Sequence, residues 1–191
     1  MLQNFTTFAV FISMQSIQVN GKSFAKYLDS STIDNVVDGI AKQINSDYKD
    51  QKPLFIAVLN GSFMFASDLF KKLTIECEIS FVKLSSYTGT SSTGSVQQLI
   101  GVGQNLEGRE VIVIEDIVDT GLTLGKLRVE LQNQHPKSLK LLTLLFKPGA
   151  FAETYPIDYV GLEIPNDFIV GYGLDYDGFG RNLPDIYSIV K

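Results

Sequence analysis

Residues 111–123 read VIVIEDIVDTGLT. Val111 to Ile114 form an unbroken apolar run, the pattern of a strand covered on both faces, as in a parallel sheet. The run ends in two acids, Glu115 and Asp116. A third, Asp119, leads into Thr120, Gly121, Leu122 and Thr123, where a helix begins and is expected to run to about residue 134. Backbone N–H groups at a helix start, with two hydroxyls and a permissive glycine, make a cradle for one phosphate. Carboxylates beside such a cradle would repel a bare anion. They suit sugar hydroxyls, a cation or a proton in transit, so the string points to a sugar phosphate ligand.

The flanking sequence supplies the rest of a sheet. Residues 54–59 (LFIAVL) and 139–146 (LKLLTLLF) are further apolar runs. A helix is expected over 31–49, where Ile33, Val37, Ile40 and Ile44 share one face and Ser31 with Asp34 resembles a capping box. A second helix is expected over 63–72. Residues 75–84 alternate as a strand, and 97–102 return as another. Between them, residues 85–95 (SSYTGTSSTGS) carry no apolar period and read as a loop. Beyond Pro148 come short strands and turns rich in Gly, Tyr and Phe. Strands alternating with helices indicate an α/β domain with a mostly parallel central sheet flanked by helices. Ligands of such sheets bind beyond the carboxyl ends of the strands. Three strands here end in polar sequence: Asn60-Gly61-Ser62, Glu115-Asp116 and Lys147.

Composition narrows the classes. The 191 residues, 45% of them hydrophobic and 19% charged, suffice for one compact domain. A net charge of −5 with no cluster of Lys and Arg argues against a nucleic-acid or anionic-membrane partner. Cys77 is the sole cysteine, which leaves no intrachain disulfide and no cysteine-based zinc site; it reads as a small buried residue. His135 is the sole histidine, before Pro136 at an expected helix end, so histidine-based nucleophilic catalysis is disfavoured. Residues 1–14 (MLQNFTTFAVFISM) lack the basic start and cleavage site of a signal peptide and are too short to span a membrane. They are read as an extraneous or flexible segment with Met14 as a candidate start, and residues 15–191 as a single domain. The expected location is the cytoplasm.

The 111–123 string resembles the phosphoribosyl pyrophosphate (PRPP) motif of type I phosphoribosyltransferases. From about residue 17 to 191 the order of segments is similar to that of the hypoxanthine-guanine phosphoribosyltransferases. The matching pieces are Leu59-Asn60-Gly61, Ser86-Tyr87 with the loop that follows, the PRPP motif, Lys147, and the tail from Phe168 through Asp175 to Arg181. Each short piece is weak alone; in this order and at these separations they are specific.

The resemblance implies the type I phosphoribosyltransferase fold, with a small hood built from parts of 15–30 and 150–191. It implies an enzyme of purine salvage that joins N9 of a 6-oxopurine to the ribose of PRPP, giving IMP or GMP and releasing pyrophosphate, with Mg2+ as cofactor. Asp119 would be the general base near N7 of the purine. Asp119, Thr120, Gly121, Leu122 and Thr123 would surround the 5′-phosphate. Glu115 and Asp116 would receive the ribose hydroxyls, partly through magnesium. Asn60 and Gly61 would bind pyrophosphate through backbone N–H groups, the Leu59–Asn60 bond being cis in at least some states, and Arg181 would bind it from the other side. Lys147, Phe168, Ile169 and Asp175 would line the purine pocket, with Lys147 donating to O6, Phe168 stacking on the ring and the Ile169 carbonyl accepting from N1. Asp175 would also reach a second magnesium through water. Ser86 and Tyr87 would open a lid. Two departures stand out. Asn60 occupies a place where many relatives carry Lys or Arg, and Leu122 replaces a lysine seen in some. A homodimer or homotetramer is implied as well.

Two rivals remain at this point. One is a regulator on the same fold that senses PRPP while binding RNA or DNA, against which the acidic charge counts. The other is a xanthine or pyrimidine phosphoribosyltransferase. Lys147 and Phe168 favour a 6-oxopurine but do not rank hypoxanthine, guanine and xanthine.

Overall fold

The structure is a computed structural model that describes residues 16–86, 96–100 and 103–190. Along the chain run β1 (Ser16–Val19), β2 (Lys22–Leu28), α1 (Ser30–Asp47), β3 (Leu54–Leu59), α2 (Phe63–Phe70), β4 (Glu78–Ser86), β5 (Val96–Ile100), β6 (Glu110–Val118), α3 (Leu122–Gln132), β7 (Ser138–Phe146), β8 (Tyr159–Glu163), β9 (Ile169–Val170) and β10 (Ile186–Ile189). The expected segment 1–14 and residues 87–95 of the expected loop lie outside the described residues, whereas Ser85 and Ser86, read as its start, belong to β4.

Six strands form the main sheet in the order β5-β4-β3-β6-β7-β8. β4, β3, β6, β7 and β8 are parallel, and β5 returns antiparallel on the edge. The apolar runs are divided between two faces by the strand period of two. Phe55, Ala57, Ile112 and Ile114 pack under α1 and α2, with Ile33, Val37, Ile40, Ile44, Phe65 and Leu69. Leu54, Ile56, Val58, Val111 and Val113 pack under α3, with Leu124, Leu127 and Leu131. Each run is continuously apolar because both of its faces are covered.

Local signals moved some boundaries. The cap of α1 is Asp29, whose carboxylate accepts from Thr32 N–H at 2.7 Å, two residues earlier than the Ser31–Asp34 box. Ser31 instead donates its hydroxyl to Asp29 at 2.6 Å. β6 continues through Glu115 and Asp116 to Val118, because its pairing with β7 extends to Val118 opposite Phe146. The acids are therefore within the strand rather than beyond it. His135 lies past α3 in the left-handed region, φ 55°, and its carbonyl accepts from Gly108 N–H at 3.0 Å.

A second sheet, antiparallel in the order β1-β2-β10-β9, joins both ends of the chain above the carboxyl ends of β3 and β6. Val19, Phe24, Val170 and Tyr187 form its small core. Buried Asp185 ties it to the main body. Its carboxylate pairs with Lys26 at 2.6 Å and accepts from Ser30 N–H, at the start of α1, at 2.8 Å.

Candidate active site

The site lies where β3, β6 and β7 end. β6 carries Glu115 and Asp116 side by side, so they project to opposite faces of the sheet. Glu115 lines a cavity of about 290 Å³ together with Val58, Leu84, Asp119, Thr120, Gly121 and Thr123. Asp116 lines a second cavity of about 340 Å³ with Gly61, Lys147, Phe168, Asp175 and Arg181. Among the described residues, Ile117 and Asp119 border both. Strand geometry thus sets one acid in each cavity.

Both carboxyls keep some solvent contact yet are enclosed by protein on most sides. Burial, and then the charge of Asp116, holds Glu115 well above the ordinary carboxylate range. Burial likewise raises Asp116 to about 6, opposed by the backbone N–H groups of Asp116 and Ile117 and by Arg181. Among the described residues no cation pairs directly with either desolvated acid, which makes a place where a cation or hydroxyl donors would be welcome. Among the described residues, no three Asp, Glu, His or Cys side chains converge as a ready-made metal site.

One end of the site is built from the turn between β6 and α3. Gly121 caps α3 with φ 81°, a left-handed value that suits glycine. A Cβ there would lie 2.5 Å from the Phe151 ring and 2.9 Å from the Tyr155 hydroxyl. Having no side chain, Gly121 leaves the first-turn N–H groups of α3 without a cap from their own helix. Leu122 N–H makes only a long contact of 3.5 Å to Thr120 Oγ1. Leu122 itself is exposed.

At the other end of the site, Lys147 is buried, 6% exposed, at the close of β7. Its Nζ pairs with Asp119 Oδ2 at 3.0 Å. The two residues given separate roles in the sequence are therefore bonded to each other. Phe168 is 44% exposed, with Tyr176 edge-on behind it at 5.7 Å, which leaves aromatic surface open to the cavity. Ile169 is buried beside it.

The Leu59–Asn60 peptide is cis. Gly61 follows so close to Asp116 that a Cβ would overlap its carboxylate. The Gly61 carbonyl in turn abuts Gly173, a residue the sequence did not single out. Arg181 donates to Gly173 O at 2.7 Å and pairs with Asp175 at 2.6 Å. Asp175 also accepts from Gly178 N–H at 2.7 Å. Each of its carboxylate oxygens thus has a partner, Arg181 on one and Gly178 N–H on the other. Tyr172 anchors this turn to α2 by donating to Asp68 at 2.7 Å. Only the Gly-Tyr-Gly spacing of residues 171–173 hinted at this junction. Ser86 ends β4, while Tyr87 lies outside the described residues.

Comparison with known proteins agrees with this geometry. A family model for the phosphoribosyl transferase domain matches residues 24–177. A hypoxanthine-guanine phosphoribosyltransferase of Staphylococcus epidermidis is 42% identical over 163 residues, 85% of this chain and 91% of that one. A counterpart from Staphylococcus aureus is 41% identical over the same shares. The crystal structure of a hypoxanthine-guanine phosphoribosyltransferase from Bacillus anthracis, with a HEPES molecule in its active site, superposes with a TM-score of 0.82 at 41% identity, covering 86% of this chain and 98% of that one. A hypoxanthine phosphoribosyltransferase from Trypanosoma cruzi, in complex with the product IMP, gives 0.82 at 35% identity over 91% of this chain and 97% of that one. With a matched domain that spans most of its length and relatives this similar, the chain belongs to the phosphoribosyltransferase family, on its hypoxanthine-guanine branch.

Proposed function

We propose that this chain transfers the 5-phosphoribosyl group of PRPP to N9 of hypoxanthine or guanine, giving IMP or GMP and pyrophosphate. One observation carries the reading. Asp119 borders both cavities, with the helix-start cradle on one side and Lys147 and Phe168 on the other. A single carboxylate at that border is placed to serve a purine whose ribose phosphate lies across it.

In this reading the 5′-phosphate rests on the N–H groups and hydroxyls of residues 120–123, where the helix dipole favours an anion. The purine stacks on Phe168, and the Ile169 carbonyl accepts from N1. Lys147 leaves Asp119 to donate to O6, and Asp119 is freed to accept the proton at N7. That proton grows more acidic as N9 attacks C1′ and the bond from C1′ to the pyrophosphate oxygen breaks. Arg181, held in place by Asp175 and Gly173, takes the pyrophosphate from one side, and the Asn60–Gly61 backbone takes it from the other. Adenine would turn an amino donor toward the Lys147 donor and lacks a proton on N1, so it is rejected.

Glu115 and Asp116 offer only hard oxygen donors, which fit Mg2+, a metal that uses one or two carboxylates together with substrate oxygens. Bound there, Mg2+ would neutralise charge on the departing pyrophosphate. Among the described residues no helix is long and apolar enough to cross a membrane. The family resemblance carries with it a homodimer or homotetramer in the cytoplasm, and sedimentation of the purified chain measures the assembly.

The test is pyrophosphate release from PRPP and Mg2+ with hypoxanthine, guanine, xanthine, adenine and uracil supplied in turn. Release with hypoxanthine and guanine and none with adenine is expected. Silence with every purine, or turnover with uracil alone, would overturn the proposal.

A further inference from the structure

The segment after Lys147 runs beside the phosphate turn and is bonded to it three times. Lys147 N–H donates to Val118 O at 2.9 Å, and Ala152 N–H donates to Thr120 O at 3.1 Å. The Tyr155 hydroxyl donates to Gly121 O at 2.6 Å. In a planar trans peptide the N–H points opposite to the C=O. Drawing the Thr120 and Gly121 carbonyls toward residues 152 and 155 therefore turns the Gly121 and Leu122 N–H groups the other way. Gly121 lines the cavity that Glu115, Asp119, Thr120 and Thr123 also border, so the cavity opens at this turn.

Tyr155 is itself firmly held. Its ring meets Phe151 edge-on at 5.4 Å, and Phe151 meets Phe146 edge-on at 5.2 Å. The Arg128 guanidinium lies 5.6 Å over the Tyr155 ring. Burial, followed by the charge of Glu153, pushes the hydroxyl up to about 12, so it stays a proton donor throughout the neutral range. Gly121 O also accepts the first helical bond, from Gly125 N–H at 2.8 Å. Loss of the tyrosine hydroxyl would thus leave that carbonyl with a partner and remove only the bond that sets its tilt.

We propose that Tyr155, which touches no reacting atom, is a positioning residue for the 5′-phosphate site, aiming the Gly121 and Leu122 amides through its bond to Gly121 O. The proposal rests on the function stated above, and the two fail separately.

Tyr155→Phe keeps the ring and its stacking and deletes the hydroxyl. KM for PRPP and Kd for IMP are expected to rise together by about five- to tenfold, the worth of one well-placed hydrogen bond. KM for hypoxanthine at saturating PRPP, and kcat, should stay within about twofold, with melting temperature little changed. Tyr155→Leu, which also removes the ring, should lower the melting temperature and weaken IMP further while hypoxanthine KM still holds. A merely structural tyrosine would shift melting while leaving the PRPP-to-hypoxanthine KM ratio as it was. That result, or equal rises in both KM values, overturns the positioning role. Absence of IMP binding and PRPP turnover in the unaltered chain would instead overturn the function on which it rests.

Discussion

Replacing Asp116 with asparagine should stabilise the unliganded protein at alkaline pH while disabling it. Burial raises the Asp116 carboxyl from the ordinary 3.8 to about 6. The ionised form is therefore disfavoured in the native state relative to the unfolded chain. Between those two values the native state binds more protons than the unfolded one, so stability falls as pH rises and the full penalty is present above pH 6. Its size is about 3 kcal/mol at pH 8 and about half that at pH 5. Asparagine has nearly the same shape, so it fits against Gly61 and keeps an oxygen for the Asp116 and Ile117 N–H groups. It also removes the charge that helps hold Glu115 high, which acts in the same direction. Urea unfolding in chelator at pH 8 and pH 5 should thus show a gain of up to about 3 kcal/mol at pH 8, shrinking toward acid. Turnover should collapse, as expected where a strained charge is kept for function. A gain that is absent at pH 8, or equal at both pH values, would refute the assignment of an unfavourable buried charge to Asp116.

Further substitutions probe the rest of the cleft. Lys147→Ala removes the proposed O6 donor and leaves Asp119 without its 3.0 Å partner. The hypoxanthine-to-adenine ratio of kcat/KM should fall by about tenfold or more, the usual scale of a lost charged donor, and an unchanged ratio removes Lys147 from selecting the base. Gly61→Ala places a methyl group on the Asp116 carboxylate. It should cost about 1–3 kcal/mol of stability and raise KM for pyrophosphate in the reverse reaction, whereas a variant equal to the unaltered chain in both would contradict the close approach.

Much of the architecture was legible from strings of residues. Continuous apolar runs at 54–59, 111–114 and 139–146 marked strands covered on both faces, and the Thr-Gly turn after Asp119 marked a helix start. Both signals are local, because the period of burial and the freedom of glycine act within a few residues. The cap of α1 at Asp29 was misplaced because Ser31 offers a comparable oxygen two residues later, and only backbone geometry chooses between them.

The candidate site was legible as a list of residues but not as an arrangement. Glu115 and Asp116 are neighbours in sequence, yet continuation of β6 to Val118 sends them into separate cavities. Gly173 carries no chemistry of its own, and its importance lies in a close approach to Gly61, more than a hundred residues away in the chain. Tyr155 is one of eight tyrosines with nothing in its surroundings to distinguish it. By itself the sequence determined the central apolar strands, the glycine turn that opens α3 and the charged groups beside it, since each depends on residue type and short spacing. The pairing of Asp119 with Lys147, the locking of Arg181 by Asp175 and the bond from Tyr155 to Gly121 were decided only by tertiary structure. They join segments distant in the chain, and such contacts are set by how strands register and layers pack rather than by any neighbouring residue.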